Sequence, residues 1–135
     1  MTLLTDLIGL GTPDSLASIL SAETANDAPT RSVATGLTAT GTVLSDALQL
    51  TAFVSLLGTV AASTGVKLIS AWPVGQIGLV YNGGANALNL FPHSSSGTIN
   101  GGSAGAAVTI AAAAANIVVR HSSTDWGAYV LAKES

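Results

Sequence analysis

Residues 58–92 read GTVAASTGVKLISAWPVGQIGLVYNGGANALNLFP, and residues 96–131 read SGTINGGSAGAAVTIAAAAANIVVRHSSTDWGAYVL. In both stretches short apolar alternations are separated by Gly, Asn and Ser turns, and charge is almost absent. Period-two alternation bounded by turn residues marks consecutive β-strands with a buried face. Strands this short and this closely spaced favour an antiparallel β-sandwich or a jelly-roll-like barrel over a parallel sheet. The expected fold is therefore all-β.

Strands can be placed outward from these stretches. Gln76 to Asn82 sets Ile77, Leu79 and Tyr81 against Gly78 and Val80. The turn Asn82-Gly83-Gly84-Ala85-Asn86 supplies residues that tolerate positive φ, so Ala87 to Phe91 is expected to return as its hairpin partner. Pro92 ends that strand. A short strand at Thr98-Ile99 precedes a terminal meander of Ala106–Ile110, Asn116–His121 and Gly127–Leu131. Between its members, Ala111–Ala115 has helix propensity, but the close strand spacing favours a small-residue turn. Upstream, Ala47–Leu57 places Leu48, Leu50, Ala52, Val54 and Leu56 on one face, with Gln49, Thr51 and Ser55 on the other. Phe53 and Leu57 break that polar face, so part of it is expected to be covered. Ser32–Leu37 and Val66–Ile69 complete the strands.

Residues 1–31 differ in character. Thr12-Pro13-Asp14 is a helix start, with Thr12 as N-cap, Pro13 at the first helical position and Asp14 favourable to the dipole. Leu16, Ile19 and Leu20 then fall on one face of a short helix, followed by the polar linker ETANDAPTR (23–31). The chain divides accordingly into an N-terminal helical arm and linker, 1–31, and a β-sandwich domain, 32–135.

Composition narrows the function. Charged residues make up 8% of the chain, against about a quarter in an average soluble domain. A surface so poor in charge is sticky, so copies of the chain or a partner are expected to cover much of it. The net charge is −3 and the four basic residues, Arg31, Lys67, Arg120 and Lys133, are scattered, which argues against nucleic acid as a partner. No cysteine is present, so disulfides, thiolate nucleophiles and thiolate metal sites are excluded. The start MTLLTDLIGLG lacks a signal-peptide pattern, and no stretch is apolar enough for a membrane helix, so a soluble chain is expected.

Reactive constellations are sparse. His121-Ser122-Ser123-Thr124-Asp125 brings Ser, His and Asp together, but it has no strained nucleophile turn, and its plainer reading is a turn stabilised by side-chain oxygens. His93 and His121 lack the further ligands that a metal site needs, and His93 is expected on a solvated loop tip. Asp46 and Asp125 are isolated carboxylates. The clusters Gly83-Gly84 and Gly101-Gly102 follow no phosphate-binding fingerprint. No cofactor is expected. Trp72, Tyr81, Phe91, Trp126 and Tyr129 are read first as packing residues, with Trp126, in a polar turn, the candidate for exposure.

The order of motifs TVAASTGVKL, VYNGGANALNLFP, GTINGGSAGAAVTIAAA and SSTDW, spanning about residues 42–131, resembles a module of tailed-bacteriophage virion proteins. In that group a strand–TGV–L step is followed by an N-x-G-A-N-x-L-x-(V/L)-(Y/F)-P hairpin, a G-x-I-N-(G/A) turn and a terminal S-x-T-x-W. The group usually carries a glycine or basic turn where this chain has Ala111–Ala115. The resemblance implies a virion structural protein without enzymatic activity, made in the host bacterial cytoplasm. A capsid decoration (cement) protein binding the major capsid protein or another virion protein as a homotrimer is the first reading. Leu16, Ile19, Leu20 and Trp126 are its candidate interaction residues. A tail-fibre or appendage module binding a receptor or glycan through Trp126 is the alternative. A small hydrolase built on a cleft joining His121 or His93 to a carboxylate is the third reading.

Overall fold

The computed structural model of the protein describes residues 32–131. The helical arm expected over residues 1–31, including Leu16, Ile19 and Leu20, lies outside the described residues. The described chain is all-β. Its strands are β1 (Val33–Thr38), β2 (Leu48–Gln49), β3 (Val54–Thr59), β4 (Gly65–Lys67) and β5 (Ile77–Asn82). They continue as β6 (Leu88–Phe91), β7 (Thr98–Ile99), β8 (Val108–Ile110), β9 (Ala115–Arg120) and β10 (Asp125–Val130).

Successive strands alternate between two sheets. The larger sheet has the order β1-β3-β5-β9-β10-β7 and the smaller β2-β4-β6-β8. Odd strands β1, β3 and β5 stack parallel in one sheet, and even strands β2, β4 and β6 stack parallel in the other. The path is that of a β-solenoid: each turn of chain lays one strand in each sheet, and the next turn repeats the pair one strand-spacing along. Val33, Val54 and Leu79 sit side by side in this stack, as do Leu48, Val66 and Leu90. The winding then reverses. β8 runs antiparallel to β6, and the hairpin β9–β10 closes the larger sheet antiparallel to β5.

Both sheets contribute to one core. Leu57, Val80, Val118 and Trp126 from the larger sheet meet Val66, Leu88, Leu90 and Ile110 from the smaller, each 2% exposed or less. Leu50 and Leu68 fill the corners between sheets. Each such side chain contributes about 1.5–3 kcal/mol by leaving water.

The all-β expectation holds, but the expected antiparallel arrangement is replaced by predominantly parallel stacking. Three particulars explain the difference. Ala47–Leu57 is not one strand: it breaks into β2 and β3 around a corner, where Leu50 and Ala52 turn inward at 3% and 6% exposure. Facing changes across that corner, so Ser55 and Leu57 point into the core while Val54 and Leu56 point out, the reverse of the expected faces. Ser55 Oγ is consequently buried with no hydrogen-bond partner, as is Asn116 Oδ1 on β9.

The expected hairpin between Gln76–Asn82 and Ala87–Phe91 does not form, because Asn82 ends β5 and turns the chain towards the opposite sheet. Its side-chain amide donates to the carbonyls of Asn86 (2.8 Å) and Ile110 (2.9 Å) and accepts from Gly84 N (3.0 Å). Gly83 and Gly84 are not at positive φ. They serve close approach: a Cβ on Gly83 would lie 2.7 Å from Leu57 O, and one on Gly84 2.6 Å from Val60 N. The expected terminal meander is likewise divided, since β8 lies in the smaller sheet and only β9 and β10 form a hairpin. The run at Ala111–Ala115 makes the expected turn, with Ala113 at φ 61°.

Candidate functional site

The two sheets present different outer faces. On the smaller sheet, Gln49, Lys67, Asn89 and Thr109 face outward, with Phe91 laid over Gly65 among them, a surface that is polar where it is exposed. On the larger sheet the outward positions carry no charge except Asp125 at the start of β10. One row runs Val33, Val54, Leu79, Ile117, Tyr129 across five strands. Flanking rows are Leu56, Tyr81, Ala115 on one side and Ile77, Val119, Gly127 on the other. Val33 (58%), Ile77 (50%), Tyr81 (37%) and Tyr129 (51%) are the most exposed, Gly127 is buried, and the rest are half-buried. Strand spacing and rise make this face roughly 20 Å across the strands and roughly 13 Å along them. Parallel strands ordinarily have both faces covered, so an apolar outer face of this width is a surface built to be covered.

Beneath the hairpin end of that sheet lies a cluster of rings around a buried cation. Arg120, 9% exposed, projects inward opposite Trp126, with its guanidinium carbon 5.3 Å from the indole centroid. Its donors reach four backbone carbonyls: Ser70 (2.7 Å), Trp72 (2.7 Å), Ser123 (2.6 Å) and Ser122 (3.2 Å). Trp72 packs 6.1 Å from Trp126, centroid to centroid. Gly78 makes room for Trp72, because a Cβ there would collide with the far edge of the indole ring. Trp126 itself is 1% exposed, so its ring offers no surface to a partner, contrary to the expectation that singled it out.

His93 belongs to this cluster and is not a free, solvated side chain. Its Nδ1 accepts a hydrogen bond from Trp126 Nε1 at 2.9 Å, which places the ring proton on Nε2 in the neutral form. The 3.5 Å approach of Arg120 Nη2 to that Nε2 is then donor against donor. Desolvation, and secondarily the Arg120 charge, hold the His93 pKa below 6.5. The unfolded chain therefore binds a proton at His93 more readily than the folded chain does. Stability from this group is complete above pH 6.5 and is lost as pH falls from 6.5 through the folded value. Urea titrations over this range are expected to show the loss, with a slope no steeper than about 1.4 kcal/mol per pH unit for one proton. His93→Gln, which keeps an acceptor but cannot titrate, should flatten it.

Above the cluster, on the surface, His121 and Tyr129 face each other across the hairpin. Tyr129 Oη and His121 Nε2 are hydrogen-bonded at 3.1 Å, and the ring centroids are 6.2 Å apart. Asp125 accepts from Thr98 Oγ1 at 2.6 Å, and this bond, followed by one from Ser122, holds its carboxyl below the usual carboxylate range. Ser122 Oγ also accepts from the amides of Thr124 and Asp125, the side-chain-stabilised turn expected of this segment. Asn100, at φ 56°, clamps the edge of β10: its amide donates to Ala128 O (3.1 Å) and accepts from Ala128 N (2.8 Å). Asn100, Gly101, His121, Asp125, Trp126, Ala128 and Tyr129 together line an open depression of about 610 Å³.

The imidazoles thus pair with Tyr129 and Trp126, not with a serine or threonine hydroxyl, and the triad-like string at 121–125 is assembled as a turn. Among the described residues no group of three or more His, Asp or Glu side chains could hold a metal ion, and no helix is long and apolar enough to cross a membrane. Compared with protein-family models, curated proteins and solved structures, the chain matches none.

Proposed function

We propose that the protein is a non-enzymatic structural component of a phage virion, a capsid decoration protein that self-associates and sits on the particle surface. The observation that carries this reading is the apolar, uncharged outer face that β1, β3, β5 and β9 present in the larger sheet, set against the more polar outer face of the smaller one. One face is built for association and the other for water. The resemblance of the motif order to virion modules favours the same reading. In a symmetric particle a small apolar contact is repeated many times, so modest affinity per copy becomes firm attachment.

The test is the solution mass of the full chain by light scattering, together with its retention on isolated capsids. A trimer that is retained on capsids is expected. Ile77→Asp places a charge in the flanking row of the face, on β5, without touching the core. It is expected to shift the chain to monomer, since losing one buried aliphatic contact costs about 2 kcal/mol, roughly 30-fold in association. A wild-type monomer with no affinity for capsids would overturn the proposal.

A further inference from the structure

We propose that the depression at the hairpin end is a binding site for a neutral saccharide, with Tyr129 as its stacking platform. Three features of the site argue for this ligand class. Because Tyr129 and Gly127 stand at the β10 corner of the larger sheet's outer face, self-association is assigned to the β1–β3–β5 part of that face, which leaves this corner open.

The first is the attitude of the Tyr129 ring. Gly127, on the same face of β10, has no side chain, and the ring fills the space a Cβ would take. Such an atom would lie 2.6 Å from Tyr129 Cε2 and 2.7 Å from His121 Cε1. The ring is therefore laid over the Gly127 backbone instead of standing out from the sheet, and its hydroxyl is tied to His121 Nε2. Tyr129 nevertheless remains 51% exposed. A flat aromatic face, fixed on one side and open on the other, suits the C–H face of a pyranose and costs little side-chain entropy on binding.

The second feature is the polar rim. Asp125 is exposed and its carboxyl stays ionised, so it can accept from sugar hydroxyls. His121 is exposed at the other side of the platform, with Asn100 and Gly101 on the wall. Few polar groups around an apolar floor is the usual composition of a small-ligand site.

The third is charge. Asp125 disfavours an anionic ligand, and Arg120 cannot offset it because its guanidinium is occupied by four carbonyls beneath the surface. A cation would find a single carboxylate already bonded to Thr98. A neutral polyhydroxylated ring satisfies the rim and the platform together.

The test is a titration of the isotope-labelled full chain, followed by amide NMR, with the methyl glycosides of glucose, galactose and mannose and with N-acetylglucosamine. It is run on the wild type and on Ile77→Asp, so that any self-association does not decide the result. At least one sugar is expected to shift the amides of Asn100, Gly101, Asp125 and Gly127 at millimolar concentration. Tyr129→Ala should weaken that binding at least 10-fold. Gly127→Ala, which keeps the ring but displaces it, should do the same. An unmoved Trp126 indole N–H resonance shows that the core is intact in each variant. The proposal is overturned if none of the four sugars shifts these amides, or if the shifts persist in Tyr129→Ala. Neither result bears on whether the chain forms trimers or binds capsids.

Discussion

Arg120→Ala is expected to lower the free energy of unfolding by about 3–5 kcal/mol, since it removes four charge-assisted hydrogen bonds of about 1.5–3 kcal/mol each, less what water and relaxation restore to the freed carbonyls. The guanidinium reaches carbonyls of Ser70 and Trp72 on one side and of Ser122 and Ser123 on the other, so it ties the loop before β5 to the β9–β10 turn. Truncation leaves these acceptors without their donors and strips Trp126 of its cation–π partner. Arg120→Lys should recover less than half of the loss, because one ammonium cannot reproduce a planar fork of five donors. Urea denaturation followed by tryptophan fluorescence measures both. A loss below about 1 kcal/mol in Arg120→Ala, the scale of a single ordinary hydrogen bond, would show that the network is dispensable.

Asn82→Ala should cost about 3 kcal/mol, summing the side-chain hydrogen bonds it removes from a site with no access to water. Asn82 is fully buried, and its side chain links the end of β5 to Asn86, Gly84 and, in the opposite sheet, Ile110. Its backbone adds bonds with Ala113 N and Ala114 O, so one residue holds the corner through both main chain and side chain. Asn82→Asp is expected to be worse than alanine despite its near-identical shape. Two donor contacts become oxygen against oxygen, facing the carbonyls of Asn86 and Ile110. Thermal and urea unfolding of the two variants would rank them, and an aspartate variant as stable as wild type would rule out this account of the corner.

The existence and type of most strands were legible in the sequence because alternation reports which residues face inward. Thr98-Ile99, Gln76–Asn82 and the β9–β10 hairpin fall close to where the pattern places them. Pairing partners were not legible, since a two-residue period says nothing about which strand lies alongside. The Ala47–Leu57 stretch shows how this misleads. Apolar alternation continued straight through the corner at Leu50 and Ala52, where side chains also point inward, so a bend looked like a strand. A signal of parallel stacking was nonetheless present. IGLVY (77–81), which becomes β5 and pairs parallel with β3, is apolar on both faces, as strands covered on both sides are.

The candidate site was legible only in part. His121, Asp125, Trp126 and Tyr129 all stood out as residue types, but Trp126 lies in the core and Tyr129 forms the exposed platform. The pairing of Tyr129 with His121 depends on a cross-strand register and on Gly127, whose importance appears only when the ring above it is seen. His93 looked like a loop-tip residue because the sequence does not reveal that Trp126 folds beneath it.

The parallel stacking of β1, β3 and β5 over β2, β4 and β6 also bears on how the molecule can change in length. Each circuit of chain presents to the next the same pair of hydrogen-bonding edges it received, and the reversal at β8–β10 needs only a last circuit to close upon. Gain or loss of one whole circuit therefore leaves both ends of the stack with the neighbours they require. Gain or loss of part of a circuit strands one edge and misaligns the other. A protein of this design can become taller or shorter in fixed steps while the saccharide-sized depression and the ring cluster at its closing end stay unchanged.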